Sequence, residues 1–145
     1  MTDIVVSPVP KHLVLGVWPE IVATMKDSVA TTNGKFSMDD VLKGVLEDVY
    51  VLWCVFIDGE LVASLTTRII PYAERRGLAM DWIGGTRMRE WLPAAHDIMQ
   101  AHAKANGCTH LEGYGRKAWG RWLAKYGWEP EYIAYKLELD DGQGK

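Results

Sequence analysis

The stretch YVLWCVFIDGELVASLTTRII, residues 50–70, decides the fold class of this chain. Apolar and β-branched residues fill 50–57, Asp58-Gly59 interrupts them, and a second run of the same character follows at 60–70. An Asp-Gly pair between two such runs favours a tight hairpin, because both residues tolerate the positive φ that the turn requires. The sequence therefore predicts two antiparallel strands, with Trp53 or Cys54 in the core.

Three elements are predicted on the N-terminal side of this hairpin. Residues 3–6 are short and β-branched, which is typical of an edge strand. Apolar residues then recur at helical spacing from Pro10 to Ser28, and Pro19 inside that run predicts a kink or two short helices. Ser37, followed three residues later by Asp40, predicts the capping box of a second helix.

Strands and helices alternate on the C-terminal side of the hairpin. A strand is predicted at 78–83 and a long helix at 88–106, ended by Gly107. Pro93 is tolerated only in a first helical turn, which places the start of the long helix at 89–92. The remaining elements are a strand at 109–114, a short helix at 116–126 stopped by Gly127, and a final strand at 132–139. This order predicts an α/β protein with a mixed sheet and helices on its faces.

Length and composition set the broad class. A chain of 145 residues fits one domain over 1–145, with a frayed tail at 140–145. Its 48% apolar residues, 24% charged residues and net charge of −3 are ordinary for a soluble protein and argue against a dedicated nucleic-acid binder. Two cysteines do not make a disulfide framework, no signal peptide is apparent, and no apolar run is long enough to span a membrane, so we expect a cytoplasmic protein.

The order of elements resembles the GNAT acetyltransferase fold. The resemblance covers roughly residues 50–139 and rests on this layout, on AKANGC at the end of the long helix and on AKYGW at the end of the short one. It implies N-terminal helices and a β-hairpin, followed by β-α-β-α-β. In active members of the family, a turn of pattern R/Q-x-x-G-x-G/A holds the pyrophosphate of coenzyme A at the N-terminus of the long helix.

The sequence departs from that pattern in two places. In TRMREWL, residues 86–92, Arg87 matches the first position, whereas Glu90 and Leu92 stand where the glycines are expected. A carboxylate in the first turn is stabilised by the helix dipole and repels a pyrophosphate, so we expect Glu90 to bond to backbone N–H groups there, to Arg87 or to Arg89. In the short helix, Leu123 occupies the position of the family's tyrosine that protonates the leaving thiolate, and leucine donates no proton.

These departures favour a degenerate GNAT-like domain that binds protein or serves a structural role without transferring acetyl groups. The resemblance extends to GNAT-like bacteriophage proteins, including internal virion proteins, and so implies a virion or host-cytoplasmic location. The expected partner is another protein or a virion assembly, and neither a membrane nor coenzyme A is expected as a ligand.

The alternative is an acetyl-CoA-dependent N-acetyltransferase with a divergent pyrophosphate turn. Asp81 and Glu112 are the candidate bases, since they lie on the two strands that splay apart in the family's fold, and Tyr126 is the candidate acid. The candidate cofactor-binding residues are Gly84, Gly85, Arg87 and Arg89.

A nucleic-acid-binding surface is a third possible function, whereas a metal site is not expected. Basic residues interleaved with tryptophans suggest a nucleic-acid-binding surface, made of Arg75, Arg76, Arg87, Arg89, Arg116, Lys117 and Arg121 with Trp91, Trp119 and Trp122. The four histidines have no zinc-ligand spacing, so no metal site is expected.

Overall fold

The predicted hairpin forms the middle of a five-stranded sheet in the computed structural model, which describes residues 2–115 and 119–139. The strands are adjacent in chain order: β1 (Ile4–Pro8), β2 (Val51–Ile57), β3 (Glu60–Pro71), β4 (Arg76–Gly85) and β5 (His110–Gly113). The pairs β1–β2, β2–β3 and β3–β4 are antiparallel, and β5 runs parallel to β4. Asp58 and Gly59 have φ of 49° and 83°, as the hairpin turn requires. Trp53 and Cys54 are each 4% exposed, so the predicted hairpin and its buried residues are confirmed.

Helices pack on the two faces of this sheet. These helices are α1 (Val14–Ala30), α2 (Met38–Leu46) and α3 (Met88–Ala105), and a 3-10 turn at Lys11–Leu13 precedes α1. A further helix, α4 (Trp119–Ala124), belongs to the C-terminal part of the chain. One face, called here the α1 face, is covered by α1 and α2, whose buried residues cluster with Leu52, Cys54 and Trp82. On the opposite face the ring of Trp53 meets His102 of α3 edge-on, with centroids 5.0 Å apart.

The two helical prolines do not interrupt their helices where the sequence predicts. Pro19 lies inside one continuous α1, so the alternative of two short helices is wrong, and the kink stays a prediction. Pro93 lies inside an α3 that begins at Met88, as in the predicted span 88–106, and not at 89–92. Each proline lacks the N–H that would bond to the carbonyl four residues before it. Buried side chains compensate this loss, because most helical stability in proteins comes from the packed face.

The predicted helix ends are confirmed by their backbone geometry. Ser37 and Asp40 form the predicted capping box. Gly107 and Gly127 have φ of 73° and 90°, in the left-handed region where glycine carries no steric cost. After α3, Cys108 N–H donates to the Ala103 carbonyl at 2.9 Å and Gly107 N–H to the Lys104 carbonyl at 3.1 Å, which is a Schellman motif.

The chain divides into two compact units, Met1–Tyr114 and Gly115–Lys145. In the second unit, α4 covers part of the predicted helix at 116–126, and residues 116–118 lie outside the described residues. The predicted strand at 132–139 is wrong, because these residues adopt no strand conformation. Alternating apolar and polar residues give a segment two faces, but a strand also needs a hydrogen-bonded neighbour, and no ladder to 132–139 occurs within the described ranges.

Two further properties follow from the described residues. Burial raises the pKa of the Cys54 thiol to about 11, and Cys54 and Cys108 are both free thiols. Over 2–115 and 119–139, no helix has the length and apolar character needed to cross a bilayer.

Candidate active site

The parallel strands β4 and β5 pair only where β4 begins. Their ladder joins Gly77–Met80 to His110–Gly113, and β4 then continues through residues 81–85 alongside β3. At the end of this segment, the Thr86 N–H donates to the Val62 carbonyl next to β3, at 2.9 Å. Because successive N–H groups of a strand point to opposite edges, those of Ile83 and Gly85 are directed away from β3. The end of β4 nearest α3 thus has backbone donors on the side where β5 no longer pairs.

A β-bulge at Asp81 marks the point where the β4–β5 ladder stops. Thr66 pairs with Trp82 and Thr67 with Met80, so Asp81 is the extra residue. The bulge places Asp81 on the α1 face, where Arg68 donates to both of its oxygens at 2.8 and 3.2 Å. The Asp81 side chain is 9% exposed and that of Arg68 is 33% exposed. The carboxylate of Asp81 raises the pKa of Arg68, chiefly through this hydrogen bond.

Glu112 on β5 is the centre of a second hydrogen-bonded group on the same face. Tyr72 donates its hydroxyl to both carboxylate oxygens, at 2.8 Å each, and His110 Nε2 lies 2.9 Å from Oε1. Tyr114 donates to Oε2 at 3.4 Å. A Cβ at Gly77 would lie 2.5 Å from Glu112 Oε1 and 2.7 Å from His110 Nε2, so both polar side-chain ends lie against this glycine of β4. We call Arg68, Tyr72, Asp81, His110, Glu112 and Tyr114 the polar cluster.

The hydroxyl of Thr109 contacts the other ring nitrogen of His110. It lies 3.0 Å from His110 Nδ1 and 3.2 Å from the Arg76 carbonyl, so its proton can be donated to either acceptor. When Thr109 donates to Nδ1, the ring is neutral and its Nε2–H donates to Glu112; when Thr109 donates to the carbonyl, Nδ1 carries a proton as well.

The N-terminus of α3 carries the pair that the sequence indicates. Arg87 donates through Nε and Nη2 to the two carboxylate oxygens of Glu90, at 2.7 Å each, which confirms the predicted contact between these residues. The guanidinium of Arg87 holds the pKa of the exposed Glu90 carboxyl below its usual value. Arg87 has a left-handed backbone, with φ of 59°, and among the described residues no side chain caps α3. Glu90 is therefore bonded to Arg87, and its carboxylate does not occupy the backbone N–H groups.

The other residues predicted for the cofactor turn have packing roles. A Cβ on Gly84 would collide with the Thr24 carbonyl and lie 2.8 Å from Met25 Cα, because α1 crosses β4 there. Gly85, at φ 138°, packs against Ala63 on β3. Leu92 is a buried core residue, whereas Arg89 lies in the first turn of α3. Packing alone thus requires both glycines, and their binding of a cofactor stays a prediction.

Tyr126, predicted as an acid, lies just after α4 in the second unit. Its N–H donates to the Leu123 carbonyl at 2.9 Å, and Lys125 Nζ lies 5.5 Å from the centroid of its ring. Its catalytic role stays a prediction.

The nucleic-acid surface predicted from the sequence loses one of its aromatic residues. Trp91 is 2% exposed, and its indole N–H donates to the Thr86 carbonyl at 2.8 Å, so its ring cannot stack on a base. Arg116 and Lys117 lie outside the described residues.

Sequence reasoning missed four residues of the polar cluster: Arg68, Tyr72, His110 and Tyr114. A signal for two of them exists, since His110, Glu112 and Tyr114 alternate along β5 and so share a face. Arg68 and Tyr72 carry no such signal, because their approach to the carboxylates depends on the β3–β4 register and its bulge. Over the described ranges, no three His, Cys, Asp or Glu side chains lie together as metal ligands would.

Comparison with known proteins identifies the fold. No family model and no curated protein matches the chain. Among solved structures, an aminoglycoside acetyltransferase from an uncultured soil metagenomic sample matches with a TM-score of 0.71 at 15% identity, over 95% of this chain and 99% of that one. This chain has the GNAT fold.

Two further GNAT-fold structures resemble the chain to a similar degree. The ribosomal-protein-alanine N-acetyltransferase of Brucella melitensis matches with a TM-score of 0.70 at 15% identity, covering 96% of this chain and 99% of that one. The aminoglycoside N-acetyltransferase AAC(6′)-Iy, solved in complex with CoA, gives 0.68 at 14% identity over 95% and 96%. At these identities, the likeness establishes the fold and not the activity.

Proposed function

We propose that this GNAT-fold chain is an acetyl-CoA-dependent N-acetyltransferase with a divergent phosphate-binding turn. The observation that carries the proposal is the polar cluster beside the point where β4 and β5 stop pairing. Acyl transfer to an amine needs a carboxylate that accepts a proton close to where the acyl donor lies. Three GNAT-fold neighbours are named as acetyltransferases, which supports this function over a non-catalytic one.

The residues at the start of α3 fit an anionic donor. Its first-turn N–H groups have no side-chain cap within the described residues and carry the positive end of the helix dipole. Arg87 stands beside them, and its exchange of Glu90 for a phosphate would preserve a bidentate contact. Acetyl-coenzyme A is consumed in the reaction and is therefore a second substrate, which supplies the acetyl group as a thioester.

Glu112 fits the role of base better than Asp81. Both oxygens of Asp81 are held by Arg68, which cannot give up a proton, so protonating Asp81 would leave a partly buried guanidinium unpaired. The partners of Glu112 are two phenols and an imidazole, which can exchange protons with it. We assign Glu112 to take the proton that the acceptor nitrogen loses on acylation, and Asp81 to position Arg68.

The non-catalytic interpretation rests on Glu90, Leu92 and Leu123, and the geometry weakens the argument from Glu90. Of the contacts expected for Glu90, its two oxygens make the one with the side chain of Arg87 and not the one with the backbone N–H groups. That pair is solvent-exposed, so exchanging one of its members costs little free energy.

Calorimetry with acetyl-CoA tests the proposed function. We expect the wild-type protein to bind it, and Arg87→Ala to weaken binding about tenfold, which is roughly 1.4 kcal/mol. Arg75→Ala removes the same charge from the exposed β3–β4 turn and should leave the affinity unchanged.

Turnover supplies the second arm of the test. The acceptor panel begins with aminoglycosides and peptides with N-terminal alanine, and Glu112→Gln should abolish most of the rate while acetyl-CoA still binds. If the wild-type protein neither binds acetyl-CoA nor acetylates any amine of the panel, the proposed function is wrong and the protein-binding interpretation is favoured.

A further inference from the structure

The proposed reaction needs a proton donor, and this chain has none at the position where the family resemblance places one. Acetyl transfer leaves a thiolate on coenzyme A, and Leu123 stands where the family has the tyrosine that protonates it. The following inference rests on the proposed function and concerns which residue of this chain supplies that proton.

Tyr114 is placed where the two parallel strands stop pairing. It is the first residue after β5, directly beyond the Met80–Gly113 pair that ends the β4–β5 ladder. Strand alternation puts its side chain on the α1 face with Glu112, and its hydroxyl donates to Glu112 Oε2 at 3.4 Å. Tyr114 is also 58% exposed, so a ligand can approach it.

Two other tyrosines could be considered as the acid, but neither directly follows the end of the β4–β5 ladder in the chain. Tyr72 bonds to Glu112 at the shorter distance of 2.8 Å, but it precedes β4 and stacks on His110 where the ladder begins, with ring centroids 6.0 Å apart. It can orient Glu112, while the divergence of the strands lies at the other end of the ladder. Tyr126 belongs to the second unit.

We infer that Tyr114 is the acid that protonates the leaving sulfur, and that Glu112 recharges it. The acceptor ammonium first releases one proton to water. Glu112 takes a second proton from the nitrogen as the C–N bond forms, and Tyr114 gives its phenolic proton to the sulfur as the C–S bond breaks. Glu112 then returns its proton to the Tyr114 phenolate, so the products are the N-acetyl amine, the thiol of coenzyme A and one proton in water.

The dependence of the rate on the leaving thiol tests this assignment. With acetyl-CoA, Tyr114→Phe should lower kcat/KM about 100-fold. With the acetyl thioester of an acidic aryl thiol, whose thiolate needs no proton to leave, the loss in kcat/KM should shrink to a few-fold. Tyr72→Phe is the matched control, because it removes a hydroxyl from the same carboxylate and should slow both thioesters equally.

A second measurement needs no turnover. The absorbance of the thiolate reports the ionisation of bound coenzyme A as pH is raised, and removing a hydrogen-bond donor from the thiolate should raise the pKa of the bound thiol in Tyr114→Phe. Calorimetric affinity for acetyl-CoA and the melting temperature should stay at wild-type values, since Tyr114 is exposed.

Four outcomes would overturn the assignment. Equal losses with both thioesters in Tyr114→Phe, or an unchanged thiol pKa, would remove Tyr114 as the acid while the proposed function stands. Leaving-group dependence in Tyr126→Phe would transfer the role to that residue. A wild-type protein without binding or turnover would remove the proposed function and this inference together.

Discussion

Asp81 shows how one side chain is fixed by a charge from a neighbouring strand. The carboxylate is nearly buried, and its two hydrogen bonds to Arg68 are what make that burial tolerable. The sequence places Asp81 on a strand, but it gives no sign of this partner, which is thirteen residues away in the chain.

Asp81→Asn should lower the free energy of unfolding by about 2 kcal/mol, because the substitution leaves the guanidinium of Arg68 partly buried without its counter-charge. The value lies below that for a fully buried pair, since Arg68 is one-third exposed. Urea denaturation measures it. Asp48→Asn is the matched control, as it breaks the exposed pair with Lys11 and should change stability by less than about 0.5 kcal/mol.

The same substitution separates the structural role of Asp81 from catalysis. If Asp81 positions Arg68 and Glu112 is the base, folded Asp81→Asn protein should keep most of its turnover below its melting transition. Equal destabilisation by the Asp81 and Asp48 substitutions, or complete loss of turnover in a folded Asp81→Asn protein, contradicts this assignment.

At the scale of elements, α1 crosses the sheet at a point where β4 has no side chain. Gly84 leaves the space in which the backbone at Thr24 and Met25 approaches the strand. Thr24 also shares a 2.6 Å hydrogen bond with Ser64 on β3, the register partner of Gly84. The helix is therefore fastened to the sheet by close backbone approach and by a polar contact.

Gly84→Ala should destabilise the protein by about 1–3 kcal/mol, because the added methyl group pushes α1 off the sheet. Gly16→Ala is the control: nothing lies within 4 Å of its Cβ, and alanine should stabilise the helix by about 0.5–1 kcal/mol. Thermal or urea unfolding of the two variants gives the comparison. Similar shifts of the same sign would show that α1 does not approach β4 this closely.

Local rules predicted most elements, and they failed where distant contacts decide. The Asp58-Gly59 turn, the Ser37 capping box and the glycine helix ends depend on a few adjacent residues, so sequence reasoning recovers them. Pro19 does not divide α1 into two helices, and Pro93 lies beyond the first turn of α3, because packing of the rest of each helix outweighs one missing hydrogen bond. The bulge at Asp81 depends on the register between β3 and β4, and no local sequence pattern predicts it.

For the molecule as a whole, the two histidines of α3 make the free energy of unfolding depend on pH. His96 is 7% exposed, and burial lowers the pKa of both His96 and His102 below 6.5. The unfolded chain then binds more protons than the folded one as pH falls below 6.5. The contribution of the two histidines to the free energy of unfolding is fully present above pH 6.5. It decreases as the pH falls, until the pH is below the pKa values of the histidines in the folded state.

We expect the free energy of unfolding to decrease between pH 7 and pH 5, and the decrease to be smaller in a His96→Gln, His102→Gln double variant. Denaturant titrations at several pH values measure the slope. The control is His12→Gln, at an exposed position before α1. The lowered pKa values of Asp40 and Glu90 act at more acidic pH, so they do not produce this slope. An unaltered slope in the double variant would assign it to other groups.

The two free thiols give the protein a pair of built-in reporters of its own motions. Cys54 is enclosed within the sheet with its thiol held protonated, whereas the partly exposed Cys108 lies at the end of α3. An alkylating reagent therefore reaches Cys108 through small local fluctuations and Cys54 only when the hairpin opens. The ratio of their labelling rates measures, without any introduced probe, how often the centre of the sheet opens.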